Sequence, residues 1–402
     1  MSGRSVPVNA LALLAGRVFS ALGATFVVAY SAHRLDVDAF GLMVSTMAAG
    51  LLANVVVTFG TDTVVTRAVA ADRVDAFGIA SSSLRFQLCA SVALSMFAGV
   101  AFLAGADAAL LVQALTLIPL AVVTVANSVL RGRQRMDLLL AGAFLGTLAA
   151  VVALVIGLRS HPSAWVPVAA TGIGSMVTAV VAAWFARVDA PGLVESGSVS
   201  DLLRETAPFA GMVILAAVGS QVGLLLVEFG SEETTGGYGV AVRLTEAARL
   251  VPAAAMGAFF PAMITGLHRS DRYRTWMRLL LGYAVLCTMA LIALAGVLNR
   301  VLFDSQPGGA TLTRILALGL VLTVVRLALS FELIADNDER SVLVSAAVGA
   351  AVTLVVGLVA APTVGATGVA WAQLLGLAGA VALLARRSIA ARGTESSTSP
   401  LI

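Results

Sequence analysis

The chain has 402 residues, and its composition excludes most classes of soluble protein. Hydrophobic residues make up 59% of the chain, charged residues only 12%, and the mean hydropathy is +0.98. A soluble globular chain carries about 25% charged residues, because its surface must be hydrated. All 25 basic residues are arginine, so the chain has no lysine for a P-loop or for a Schiff base. We therefore expect a polytopic membrane protein with neither cofactor nor metal, because its histidines and cysteines occur singly.

Apolar runs bounded by charged or turn-forming residues predict twelve transmembrane helices, at about 20 residues per span. In chain order, the predicted spans lie near 10–31, 39–60, 84–105, 108–130, 138–158, 165–187, 207–229, 238–266, 277–299, 311–333, 341–362 and 366–385. The predicted fold class is an all-α polytopic membrane protein, built as two six-helix bundles around a central cleft.

One polar break, 188–206, divides the spans into six and six. We predict an N-terminal bundle over 1–190, a cytoplasmic linker over 191–206, a C-terminal bundle over 207–390 and a disordered tail over 391–402. Because six is even, both halves begin on the same side of the membrane, as in transporters whose halves are related by an axis along the membrane normal.

Arginine placement predicts the orientation. With the N-terminus in the cytoplasm, 17 arginines fall on the cytoplasmic side and 4 on the outer side. The positive-inside rule then places both termini in the cytoplasm. We expect a multi-pass protein of the plasma or inner membrane, and no binding of nucleic acid.

Short motifs recur at nearly constant offset in the two halves. Phe40-Gly41 opens the second span and Tyr238-Gly239 opens the eighth, while Ala170-Thr-Gly in the sixth span recurs as Ala366-Thr-Gly in the twelfth. Several matches in the same order favour an internal duplication over coincidence.

Charged side chains inside spans are costly and are therefore candidate site residues. Arg17 lies in the first span, and Arg243, Glu246 and Arg249 follow one side of the eighth. Arg17 and Arg249 would face each other across a central cleft, as a clamp for phosphate oxygens. Arg243 is either a third substrate contact or a side chain that reaches the outer interface. Glu246 is either cleft lining or a counter-ion.

Two further sets of residues have competing interpretations. Gly50, Asn54, Thr58 and Asp62 are spaced by four, which places them on one face of the second span as a cleft lining or as a packing surface. Arg326 and Glu332 in the tenth span are interpreted as a structural pair near the cytoplasmic face.

Three segments resemble Wzx-type polysaccharide flippases of the multidrug/oligosaccharidyl-lipid/polysaccharide (MOP) exporter superfamily. The first segment is 238–261, which contains Tyr238, the sequence Ala-Val-Arg243-Leu and Pro261. The second is the stretch 35–41 with the span after it, and the third is the turn Arg131-Gly-Arg133. The resemblance implies a V-shaped pair of six-helix bundles. It also implies translocation of polyprenyl-diphosphate-linked oligosaccharide to the outer leaflet by alternating access, with cleft arginines on the diphosphate.

The resemblance further implies a monomer that works among membrane lipids, with a glycan polymerase and glycosyltransferases as partners, and that is not itself an enzyme. Two alternatives stay open. A drug/cation antiporter of the same superfamily would need a buried carboxylate, and the first span has none. A polytopic enzyme of lipid-linked glycan assembly would need sizeable outer loops, whereas the loops here are short.

Overall fold

A computed structural model describes residues 6–71, 73, 75–188, 199–230, 232–264, 271–335 and 338–397. These residues form thirteen α-helices. In chain order, they are α1 (Val6–Ala32), α2 (Val37–Thr58), α3 (Thr61–Ala70), α4 (Ala76–Leu103), α5 (Ala108–Gly132), α6 (Met136–Ser160), α7 (Trp165–Val188), α8 (Val199–Gly230), α9 (Glu232–Ile264), α10 (Asp271–Phe303), α11 (Gly309–Ala335), α12 (Glu339–Val364) and α13 (Ala366–Ser397).

Each of the twelve predicted spans overlaps one of the long helices, which confirms the prediction of an all-α polytopic membrane protein. Nine of the described helices are long and apolar enough to cross a membrane. Many large apolar side chains on them are exposed, as expected where lipid replaces water; Met96, Phe97 and Leu103 on α4 are examples. The protein is a multi-pass membrane protein.

The additional helix, α3, corrects the predicted polar stripe. α2 ends at Thr58, because Phe59 and Gly60 both adopt the left-handed conformation, with φ of 45° and 70°. Asp62 therefore lies in the first turn of a new helix and does not continue the face of Asn54 and Thr58. Spacing by four cannot reveal this break, since it assumes an uninterrupted helix.

The turn after α3 carries an exposed ion pair. The Arg73 guanidinium donates hydrogen bonds of 2.9 and 2.7 Å to the two carboxylate oxygens of Asp75. These hydrogen bonds hold the pKa of the Asp75 carboxyl below its ordinary value.

The described chain divides into two compact units, residues 1–217 and 218–402, and the boundary falls within α8. The predicted linker therefore ends in helix, since 199–206 are the first turns of α8, and α13 extends to Ser397 within the predicted tail. The predicted bundle boundaries stay predictions.

The same scheme of helix packing is found in each unit. In the first unit, α7 packs on α6 and α5, and α5 packs on α4 and α2. In the second unit, α13 packs on α12 and α11, and α11 packs on α10 and α9. The sequence motifs that suggested a duplication occupy corresponding helices: Phe40 on α2 and Tyr238 on α9 are both fully buried.

A pair of glycines brings the last two helices of each unit together. A Cβ on Gly174 of α7 would lie 2.6 Å from the carbonyl oxygen of Gly146 on α6. A Cβ on Gly376 of α13 would lie 2.5 Å from the carbonyl oxygen of Gly349 on α12. Small residues permit such close approach, which drives helix association in lipid.

Candidate functional site

The charged side chains predicted on the eighth span lie on α9, in the second unit. Arg243 Nη1 donates to Glu246 Oε2 at 3.2 Å, and both side chains are half-buried. The pair forms because residues three apart on a helix are neighbours on its surface. Glu246 is therefore a counter-ion of Arg243 in this structure, one of the two roles that the sequence left open.

Arg249 lies three residues beyond Glu246 on α9, close to the middle of this 33-residue helix. Its Nε is buried and has no hydrogen-bond partner among the described residues. Glu246, Arg326 and the Tyr238 hydroxyl lie within electrostatic range of its guanidinium. A buried, permanently charged donor without a partner has capacity to hold an anion.

Arg326, on α11, does not form the ion pair with Glu332 that was inferred from the sequence. Among the described residues, its guanidinium forms no hydrogen bond and no ion pair, and so none with Glu332. It lies instead within electrostatic range of Arg249, because α9 packs along α11. Positions 249 and 326 are far apart in the chain, so no local spacing indicates this neighbourhood.

Tyr238 is a residue of this region that sequence reasoning used only as a marker of the repeat. It is fully buried, and its hydroxyl donates to Gln373 Oε1 on α13 at 2.7 Å. The hydroxyl also lies against Gly223 of α8, where a Cβ would overlap it. Tyr238 therefore fixes the start of α9 against two neighbouring helices of its unit.

The predicted site residues of the first unit that the structure describes do not form a cluster of charges like that on α9. The Asn54 Oδ1 is buried without a hydrogen-bond partner among the described residues, whereas the Thr58 hydroxyl donates to the carbonyl of Val55 on its own helix at 3.1 Å. Asp62 is half-buried at the start of α3. The side chain of Arg17 lies outside the described part of the chain.

The first unit also contains a cavity of about 300 Å³ between α1, α5, α6 and α7. Its polar lining consists of hydroxyl and amide groups, and no lining residue is ionisable. The lining residues are Ser20, Gly23, Ala24, Val27, Val123, Asn127, Ala143, Gly146, Thr147, Ala150, Thr171, Gly174, Ser175 and Thr178.

Several solved structures share this fold. An inward-facing multidrug resistance MATE family transporter of the MOP superfamily matches with a TM-score of 0.74 and 16% identity, covering 100% of this chain and 98% of its own. The lipid II flippase MurJ, in an inward closed conformation, matches with a TM-score of 0.72 and 12% identity, covering 94% and 86%. A MOP superfamily transporter from Pyrococcus furiosus, described as having a binding pocket of reversed polarity, matches with a TM-score of 0.67 and 16% identity, covering 95% and 94%.

Sequence comparison identifies the family. No curated protein gives a significant match. The model of the family described as "Polysaccharide biosynthesis protein" matches residues 8–266, which include nearly all of α1, all of α2–α7 and the charged segment 243–249 of α9. Because this match covers more than half of the chain, the protein belongs to the polysaccharide biosynthesis protein family, with the fold of the MOP superfamily.

Proposed function

We propose that this protein is a flippase of the plasma or inner membrane, with both termini in the cytoplasm. It translocates polyprenyl-diphosphate-linked oligosaccharide from the cytoplasmic to the outer leaflet, for the biosynthesis of cell-surface polysaccharide. Family membership supports the link to polysaccharide, and the fold supports transport.

The observation that carries the proposal is the buried Nε of Arg249, which has no hydrogen-bond partner among the described residues. Placing a charged side chain near the middle of a membrane helix costs free energy, so such side chains usually have a function. The only carboxylate in electrostatic range of Arg249 among the described residues, Glu246, already accepts from Arg243. The guanidinium therefore matches an anionic cargo, and its planar fork suits phosphate oxygens.

A drug or cation antiporter, the first alternative, lacks a specific observation in its favour. Cation exchange needs a carboxylate that can release and bind a proton or sodium ion. The cavity of the first unit has no carboxylate among its lining residues, and the Glu246 carboxylate is paired with an arginine. An anionic cargo agrees better with these charges.

The experiment is complementation of glycan export in a strain that lacks this gene. Arg249→Gln and Arg249→Ala should both lose most export, while Arg249→Lys should retain part, because the charge survives but the bidentate fork does not. One lost hydrogen bond to a charged group corresponds to about 1.5–3 kcal/mol. Arg17→Gln tests the second predicted phosphate contact in the same assay.

Lipid-linked oligosaccharide should accumulate in the cytoplasmic leaflet of the impaired strains, and its sidedness distinguishes a flippase from an enzyme of glycan assembly. Arg300→Gln, which changes an exposed arginine at the end of α10, is the matched control. Normal export from a well-expressed Arg249→Gln variant would refute the proposed role of Arg249.

A further inference from the structure

We propose that the first turns of α10 bind the headgroup of an anionic phospholipid, with Arg278 on its phosphate and Trp276 beside it at the membrane interface. The site is separate from the proposed cargo contacts. It depends on the proposed function only for the orientation, which makes this end of α10 cytoplasmic and the bound lipid a lipid of the inner leaflet.

One face of α10 is exposed along most of the helix. Leu279, Leu286, Met289, Val297 and Val301 are each between 59% and 68% exposed, and their spacing places them on one side of the helix. α9 and α11 pack against α10 on its other sides. The exposed face is therefore the face that α10 presents to lipid.

Trp276 and Arg278 flank the cytoplasmic end of this face. Both side chains are exposed, and at about 100° per residue they lie on either side of Leu279. Arg278 and Arg300 are 22 residues apart on the helix, which is about 33 Å along its axis and close to the ~30 Å of a bilayer's hydrocarbon core. Arg278 therefore lies at headgroup depth, the level at which tryptophan is enriched.

α11, the main neighbour of α10, brings no acidic residue to the level of Arg278. The Thr288 hydroxyl donates to the carbonyl of Ala317 on the antiparallel α11 at 3.1 Å. Ten residues further along each helix, Arg278 lies opposite Leu327. Glu332 is the only acidic residue of α11 and lies five residues beyond that point, about 7.5 Å along the axis.

α9 brings no acidic residue to this level either. The Tyr283 hydroxyl donates to the carbonyl of Ala248 at 3.2 Å, which places Arg278 level with Ala253. Glu246 lies seven residues away, about 10 Å along the axis, and is already paired with another arginine. Among the described residues, the Arg278 guanidinium has neither a hydrogen-bond partner nor a counter-ion.

The combination of charge and apolar surface indicates the ligand class. Residues 272–303 of α10 include four arginines and no acidic residue, and three of these arginines fall within 272–278. A basic segment next to a membrane span attracts anionic lipid, and guanidinium binds phosphate oxygens in a bidentate manner. A lipid whose phosphate lies on Arg278 can place its acyl chains along Leu279 and Leu286, whereas a soluble phosphate has no apolar part to cover that face.

The test is the tryptophan fluorescence of the purified full-length chain in liposomes, quenched by phospholipids with brominated acyl chains. The three other tryptophans, Trp165, Trp184 and Trp371, are all exposed and are replaced by phenylalanine, so that the signal comes from Trp276. Brominated phosphatidylglycerol, which is anionic, should bind beside Trp276 more tightly than brominated phosphatidylcholine, which is zwitterionic. Arg278→Gln should lower the ratio of the two binding constants about fivefold, the contribution of one arginine near an anionic surface. Arg278→Lys should keep most of the ratio, because the charge remains.

Arg300→Gln is the matched control, because it removes an exposed arginine from the other end of the same helix. It should leave the ratio unchanged, and equal thermal stability of all variants shows that they fold. The inference is wrong if the parent binds both lipids equally or if Arg278→Gln keeps the parent ratio. It is also wrong if Arg300→Gln lowers the ratio as much as Arg278→Gln, since that result indicates attraction by net charge alone. None of these outcomes affects the proposed function, which the Arg249 variants test by complementation.

Discussion

The contact between α12 and α13 allows a quantitative test, because one glycine of α13 is essential to it and another is not. A Cβ at Gly376 would lie 2.5 Å from the carbonyl oxygen of Gly349 and 3.2 Å from the amide nitrogen of Thr353. A Cβ at Gly379, three residues further along the same helix, would meet no atom within 4 Å. Gly376→Ala and Gly379→Ala therefore make the same chemical change in two different environments.

Both substitutions favour the helix by up to about 1 kcal/mol, since glycine is the poorer helix former. Only Gly376→Ala forces the backbones of α12 and α13 apart. The separation must grow by about 1 Å for the distance between the new Cβ and the Gly349 carbonyl oxygen to reach about 3.5 Å. Overpacking of this kind costs about 1–3 kcal/mol. Because the propensity gain cancels between the two variants, Gly376→Ala should be less stable than Gly379→Ala by this amount.

The measurement is the midpoint of thermal unfolding of each purified variant in the same detergent. A difference of 1 kcal/mol shifts the midpoint by roughly 2–4 °C in a unit of 150–250 residues. Gly376→Ala should therefore unfold several degrees below Gly379→Ala. Equal midpoints, or a higher midpoint for Gly376→Ala, would show that α12 and α13 do not approach each other as described.

Two further predictions concern single polar contacts of the second unit. Tyr238→Phe should lower the unfolding free energy by about 1–3 kcal/mol in the same thermal assay, because the half-buried Gln373 Oε1 loses its donor. Tyr30→Phe is the control, since the Tyr30 hydroxyl has no partner among the described residues, and an equal loss from both variants would contradict the reasoning. Glu246→Gln should reduce the amount of protein in membranes, because the half-buried Arg243 guanidinium loses its carboxylate partner. Combining it with Arg243→Gln should restore that amount on an immunoblot, and a double variant worse than Glu246→Gln alone would refute the charge argument.

The positions of the long apolar helices could be predicted from the sequence, because they depend on local properties. A run of about 20 apolar residues is long enough to cross a bilayer whatever its neighbours are. The same holds for the duplication, since motifs such as Phe40-Gly41 and Tyr238-Gly239 mark corresponding helices that the structure packs in the same scheme.

The break between α2 and α3 was not predictable, because it depends on two left-handed residues. Gly60 adopts this conformation readily, but Phe59 does so only where the surrounding structure holds it. The sequence around Asp62 continues a spacing by four, so the pattern alone predicts one uninterrupted face.

At the candidate site, local sequence patterns identify single residues, whereas tertiary packing decides which residues are neighbours. The sequence singled out Arg249, because a charge within an apolar run is unusual wherever it occurs. It could not show that Arg326 lies within electrostatic range of Arg249, nor that the hydroxyl of Tyr238 donates to Gln373. These neighbours lie on separate helices, and only the packing of α9 against α11 and α13 brings them together, since helical periodicity determines the face of one helix but not the helix opposite it.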